Sequence, residues 1–443
     1  MKKHIALLAV LALAWPAAAF DPLGAHKISA PTGCIDKDVA TEELTLDDLI
    51  QIGICTNPSL SASYMGVKAS ESGLGAARSE YLPSINLTGT GNITGEKVEH
   101  GHYIQGEPYS GKAEASWLLF DFGGREARQN STRSYVEAAR YGYDASVQQM
   151  VLSVQTAYLN LLAAQESLIS AKASLETYKH SYEEAEKRYK LGMVSLSDKL
   201  QSKTSYEQSV LTVVLAENNI KQQSGNLAVL INLSPDTVIH LAKPVYKDQI
   251  IEIENDNVEE LMKMALQNRP ELRAQERKQQ AAKSDLTTSK TNLLPRISAN
   301  ASVEYNDNWK HSFPYNTNNS AGLLVTMPLF AGFSNMYKIQ QASYAYEQQQ
   351  RTTDNLKLQV QNEVWQAYQN YKTAIRSYEI SQTVLESAEE NHRVAFRYYE
   401  LGKEDIINLL NAVSRLADAR QTKITSFYAV LLSKANLYRS IGK

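Results

Sequence analysis

One pattern occurs twice along this chain, and it limits the possible folds more than any other feature because it demands two structurally similar halves. "CTNPSL" returns as "QNRPEL", "YLPSI" as "LLPRI", "LLFDF" as "PLFAG", "AYLNL" as "AYQNY", and "RYKLGM" as "YYELGK". Pro58 and Pro270 stand 212 residues apart, as do Pro83 and Pro295; Phe120 and Phe330, Tyr158 and Tyr368, and Gly192 and Gly402 stand 210 apart. The halves therefore differ in length by two residues, between the second proline and the phenylalanine.

Each half reads in the same order. A short helix stops before an X-Pro pair, where proline restricts its predecessor and suits the first turn of a new helix. After the second proline the period changes to two. "INLTGTGNIT" sets Ile85, Leu87, Gly89, Gly91 and Ile93 against Asn86, Thr88, Thr90, Asn92 and Thr94, and "ISANASVEYN" alternates in the same way. Strands are expected at about 85–94 and 109–120 in the first half and about 297–306 and 320–330 in the second, with polar Gly/Asn/Pro-rich loops between them. Long helices follow at 124–190 and 334–400, and shorter ones at 195–232 and 405–440. Val147, Val151, Val154, Tyr158, Leu161, Gln165 and Leu168 alternate fours and threes, and after a slip Leu175, Tyr178, Tyr182, Ala185 and Tyr189 continue the line. Such spacing is a coiled-coil seam. A helix of this length is on the order of 100 Å, and its polar remaining faces make it a wall rather than a core.

The expected organisation is a signal peptide at 1–19, an extended segment at 20–45, repeat 1 at 46–232, a linker at 233–257 and repeat 2 at 258–442. Lys2 and Lys3 precede the apolar run from Ile5 to Trp15, which ends in Ala17-Ala18-Ala19, the pattern of a cleaved secretory signal. That run is too short to span a bilayer, and no later run reaches 18 apolar residues. Losing Lys2 and Lys3 takes the formal charge from −3 to −5, which gives nucleic acid no attraction. Cys34 and Cys55 are the only cysteines. In an oxidising compartment they are expected to form one disulfide. The residues before Cys34, Ala-Pro-Thr-Gly, lack the apolar residue a lipid-anchor motif needs, so no lipidation is expected.

Strands with one polar and one apolar face fit a sandwich or a membrane barrel. Aromatics gather at both strand ends: Trp117, Phe120, Phe122 and Phe330 on the helix side, and Tyr103, Tyr109, Tyr305, Trp309, Phe313 and Tyr315 on the loop side. Two aromatic girdles around a mild apolar band indicate an outer-membrane barrel in contact with lipid. Four strands cannot close a barrel, and open edges are not tolerated in lipid, so several chains must build it. Two chains fill the interior with side chains, whereas three begin to leave a lumen. The 25 tyrosines against 8 phenylalanines suit wet coiled-coil seams, with the ring packed and the hydroxyl in water.

From about Leu44 to Gly442 the assembled features resemble the TolC family of outer-membrane channel-tunnels: the "NP" breaks, the "LP" segments before each strand, "LFDFGGR" at 119–125, and the paired "LG" turns. The resemblance implies a mainly α fold with β, in which a long α-helical coiled-coil barrel joins a trimeric 12-stranded transmembrane β-barrel with four strands per chain. It implies a homotrimer in the bacterial outer membrane that reaches across the periplasm to a periplasmic adaptor (membrane fusion protein) and an inner-membrane ABC or RND-type pump. Type I protein secretion is the expected use, with multidrug efflux as the alternative. A departure is that the chain ends three residues after Ser440, without the C-terminal extension of some members.

The resemblance also assigns residues. Leu191, Gly192 and Met193, with Leu401, Gly402 and Lys403, would be hairpin tips that touch the adaptor. Each glycine equally serves as a left-handed helix end. Acidic rings at the constriction of relatives fall on Asn408 and Asn411; a partner Asp falls on Asp198, and an Arg position on Glu404. Lys403 or Lys199 could supply the missing cation. Ser195 to Asp198 also reads as a capping box, and Asp405 as an N-cap. Rings of neutral amides attract cations less than rings of carboxylates.

Enzymatic readings find little support. "GTGNITG" at 89–95 opens no helix, so it lacks the context of a dinucleotide loop. "EHGH" at 99–102 suits a solvated loop better than a metal site, and no nucleophile-base pair is visible. No catalytic residue, cofactor or metal is expected. A soluble periplasmic adaptor, the remaining rival, needs no strand pairs with aromatic girdles.

Overall fold

The computed structural model describes residues 21, 23–24, 43–97, 103–106, 108–242, 257–308 and 316–443. The signal segment, Cys34, Trp309, Phe313, Tyr315, "EHGH" and most of the linker lie outside the described residues. The chain divides into two compact units, and α3 (Gly124–Lys190) and α7 (Ser334–Glu400) each contribute to both.

Unit one contains the sheet. Strands β1 (Ser84–Gly91), β4 (Pro108–Phe120), β5 (Arg296–Asn308) and β6 (Asn316–Thr326) form one antiparallel sheet in the order β1-β4-β5-β6, so β1 and β6 are its free edges. Register sorts the alternating residues into two faces. The rows Ile85–Ala115–Ala301–Ala321 and Leu87–Ala113–Val303–Asn319 lie on one face, and Asn86–Glu114–Ser302–Ser320 and Thr88–Lys112–Glu304–Asn318 on the other. Ile85, Leu87 and Leu323 on the apolar face are 77, 81 and 72 % exposed. A single chain leaves this face bare.

Three segments depart from the sequence reading. β1 stops at Gly91, and the expected loop contains a separate hairpin in which β2 (Thr94–Lys97) pairs with β3 (Tyr103–Gly106). The last strand starts at Asn316 and ends at Thr326, before Pro328, which has no N–H for a ladder. In α3 the predicted seam includes Tyr189, yet Tyr189 is 37 % exposed while Ser174, Ser181 and Arg188, spaced by seven, are buried.

The strand-to-helix junction after β4 is held by charge. The buried Asp121 carboxylate accepts from the Arg125 backbone N–H at 2.7 Å and from Arg128 at 3.3 Å. The Arg125 guanidinium donates to the carbonyls of Leu118 at 2.6 Å and Leu119 at 2.9 Å and stacks over Tyr81. The repeat has no counterpart, since Ala331 and Asn335 stand 210 residues on.

Unit two is helical. α1 (Leu46–Thr56) starts at a Thr45–Asp48 capping box and α5 (Val258–Asn268) at Asn257. Each gives way at its X-Pro break to α2 (Pro58–Ser79) or α6 (Pro270–Thr291), whose later turns belong to unit one. The two cores follow the repeat: Leu49, Val154, Tyr158, Leu161, Leu227 and Ile231 are buried in one, and Leu261, Val364, Tyr368, Tyr371, Leu437 and Ile441, their equivalents, in the other. Leu227 belongs to α4 (Leu196–Leu230) and Leu437 to α8 (Ile406–Ser440).

At the second break Arg269, 4 % exposed, bonds Glu363 and Glu271, and Arg439 reaches Glu271 at 3.0 Å. Burial pushes the Glu271 carboxyl up, but the Arg269 hydrogen bond, a backbone hydrogen bond and the charges of Arg269 and Arg439 outweigh it and hold the carboxyl below its usual 4.5. A depressed carboxyl contributes stability that is present above its unfolded pKa and lost as pH falls through the folded one. Thermal unfolding below about pH 4.5 should therefore be less acid-sensitive in Glu271→Gln than in the wild type.

Candidate functional site at the hairpin tips

The α3–α4 and α7–α8 hairpins end in the same turn. Gly192 donates to the Tyr189 carbonyl at 3.0 Å and Met193 to the Arg188 carbonyl at 2.9 Å; Gly402 donates to Tyr399 at 3.0 Å and Lys403 to Tyr398 at 2.9 Å. These paired bonds are Schellman motifs, which satisfy the last carbonyls of α3 and α7. The glycine φ angles are +73° and +68°, where a side chain costs about 1–2 kcal/mol. Gly192→Val and Gly402→Val should each destabilise their tip by about that amount, read as faster amide exchange in the adjoining turns.

The turns match but the hairpins do not. Ala185, Tyr399, Ile406, Leu409, Leu410 and Val413 form a buried cluster at the second tip. Their repeat partners on α4 include Leu196 and Leu200, both 52 % exposed, and Leu191 and Met193 are also exposed. The first tip thus presents an apolar surface. At the second, Leu401 is exposed among the charged residues Lys403, Glu404 and Asp405.

α8 begins at the Asp405 cap, whose carboxylate accepts from the Asn408 backbone N–H at 2.9 Å. Asn408 and Asn411 lie on the exposed face of α8, opposite Leu409, Leu410 and Val413. Asp198 closes its own capping box, accepting from Ser195 N–H at 3.0 Å. Lys199 bonds Glu186 at 3.0 Å, which holds that carboxyl below its usual range. Among the described residues Lys403 and Glu404 form no ion pair. The structure therefore brings Asp198 together with neither Glu404 nor either lysine.

Arg188, which sequence reasoning missed, joins the two hairpins. Its guanidinium donates to the carbonyl of Glu400, the last residue of α7, stacks 4.6 Å over the Tyr399 ring and bonds Glu184 at 3.1 Å. A cation there meets the negative end of the α7 dipole. Burial pushes the Tyr399 phenol up, and its hydroxyl has no hydrogen-bond partner among the described residues. The sequence carried a faint signal, the seven-residue spacing of Ser174, Ser181 and Arg188.

The sheet aromatics pair locally. Phe120 meets Phe122 edge-on at 4.7 Å, and Phe330 meets Phe333 at 5.4 Å. Trp117 donates its indole N–H to the Tyr81 carbonyl at 2.9 Å. Tyr109 and Tyr305, 6.4 Å apart, both donate to Asp307. Tyr103 lies in β3, and its side chain is outside the described residues. Cys55 stands in the last turn of α1, and Cys34 lies outside the described residues. Among the described residues no group of three potential metal ligands occurs, and no helix is long and apolar enough to cross a membrane.

The sequence profile of the family described as "Outer membrane efflux protein" matches residues 49–233 and 261–443. Protein CyaE of Bordetella pertussis is 26% identical over 432 residues, covering 95% of this chain and 90% of that protein. Outer membrane protein TolC of Vibrio cholerae is 24% identical over 83% of both chains. The Campylobacter jejuni CmeC outer membrane channel superposes with a TM-score of 0.77 at 17% identity, covering 90% of this chain and 85% of that one.

Proposed function

The chain belongs to the outer membrane efflux protein family, and from that premise we propose that three copies assemble into the outer-membrane exit duct of a tripartite export system. In this assembly the sheets close into a twelve-stranded barrel, the helices form a tunnel through the periplasm, and the hairpin tips meet a periplasmic adaptor and an inner-membrane pump. The sheet carries the reading: one face is apolar and bare, and β1 and β6 are unpaired edges, which lipid tolerates only after closure with other copies. A heptad-spaced line on α7, apolar at each position but Arg351, supports it. Tyr337, Tyr344, Leu358 and Trp365 are 69, 62, 65 and 46 % exposed, as a seam awaiting another subunit would be.

In the same reading Trp117, Phe120, Phe122 and Phe330 seat the barrel at one membrane interface and Tyr103, Tyr109, Tyr305 and Trp309 at the other. Asn408 and Asn411 line the narrowest part of the tunnel. The preferred cargo is a secreted protein, on the resemblance carried by "LFDFGGR". Relatives named as efflux pump outer membrane proteins of Pseudomonas putida, 24% identical, keep small-molecule efflux as the second reading.

Fractionation tests the duct: an outer-membrane, heat-modifiable oligomer supports it, and a soluble monomer rejects it. Deletion separates the cargoes, since loss of a secreted protein without drug sensitivity supports the first reading and the reverse supports the second.

A further inference from the structure

Asn408 and Asn411 share their face of α8 with a charge. Arg415 lies seven residues after Asn408 and four after Asn411, which on a helix of 3.6 residues per turn places it between them in angle. It is exposed, and among the described residues it makes no ion pair or hydrogen bond. From these observations we infer that Arg415 shifts the charge preference of the duct toward anions. This deepens the reading of Asn408 and Asn411 as the constriction lining and rests on it.

Distance gives Arg415 its reach. At 1.5 Å per residue it stands about 6 Å along the axis from Asn411 and about 10 Å from Asn408. The first spacing falls within the screening length of about 10 Å at 0.1 M salt and the second matches it, and two neutral amides offer no charge to oppose it. Three copies would surround the lumen with three guanidiniums just inside the narrow zone, where a low-dielectric wall focuses their field.

Acids stand nearby and keep their charge, so Arg415 acts against them. Asp418, three residues on, lines a polar cavity of about 370 Å³ between α3, α4 and α8 with Tyr178, Ser414 and Gln421, and Arg415 is not among its walls. The Tyr178 phenol feels the Asp418 charge. Asp405 caps α8, and Asp198 caps α4. Glu404 is half-buried in the turn, before α8 begins.

The test is the reversal potential of the purified full-length protein in planar lipid bilayers under a potassium chloride gradient. Arg415→Gln should lower the chloride-to-potassium permeability ratio several-fold, Arg415→Glu should lower it further, and Arg415→Lys, which keeps the charge, should stay with the wild type. Conducting Arg415→Gln and Arg415→Glu channels with an unchanged reversal potential would overturn the inference while leaving the duct intact. Absence of current from wild-type protein would remove the duct reading, and this inference with it.

Discussion

Arg188→Ala is expected to separate the two hairpin tips. The substitution removes a charged hydrogen bond to the end of α7, a stacking contact with a ring that is 1 % exposed and a bond to Glu184. Charge-assisted bonds of this kind contribute about 1.5–3 kcal/mol and a desolvated cation–π contact up to about 2. A local loss of about 3 kcal/mol should appear as faster amide exchange from Ala395 to Val413, with little change around the Leu49 and Leu261 cores. Single-channel conductance should rise, because Arg188 helps bind the end of α7 to the neighbouring hairpin. Arg188→Lys should recover only part of the effect, since an ammonium cannot stack as a planar guanidinium does. Unchanged exchange at the second tip in Arg188→Ala would show that the contact contributes nothing there.

Arg125→Ala is expected to destabilise unit one by about 3–5 kcal/mol, the range for breaking a buried ion pair, here Arg125 with Asp121 at 3.8 Å. Two carbonyls at the end of β4 lose their donor, and Asp121, 6 % exposed, keeps only Arg128 and a backbone N–H. Arg128→Ala is the control. Its guanidinium is 30 % exposed, so its loss should cost about 1 kcal/mol or less. Thermal unfolding of the purified oligomer reads both, and equal midpoints for the two variants would refute the role given to Arg125.

Much of the architecture could be read from residue order. Two faces in each strand, two long seams, two X-Pro breaks and two Leu-Gly turns each follow from local preferences repeated over many residues. The cores kept the repeat: Tyr158 and Tyr368, Leu161 and Tyr371, and Ile231 and Ile441 take equivalent places. The last strand was displaced because its apolar run crosses Pro328, where composition favours a strand and the backbone cannot supply a hydrogen bond.

The candidate site was less legible. Asn408 and Asn411 could be numbered from a resemblance and Asp198 from a capping pattern, but the contacts of Arg188 could not. A seam rule prefers Tyr189, a better apolar residue, over its charged neighbour. The choice reverses because Arg188 finds, on a distant helix, a ring 211 residues on to stack on and a carbonyl 212 residues on with no helical partner.

Sequence alone therefore determined the duplication, the helix and strand periods, the turns and the sign of each sheet face, because these depend on spacing within a few residues. Only the tertiary structure decided which arginines are buried, which carboxylates are already engaged and which cation is left exposed beside the two asparagines. Those outcomes depend on partners brought together from distant parts of the chain, where burial raises the cost of every unpaired charge.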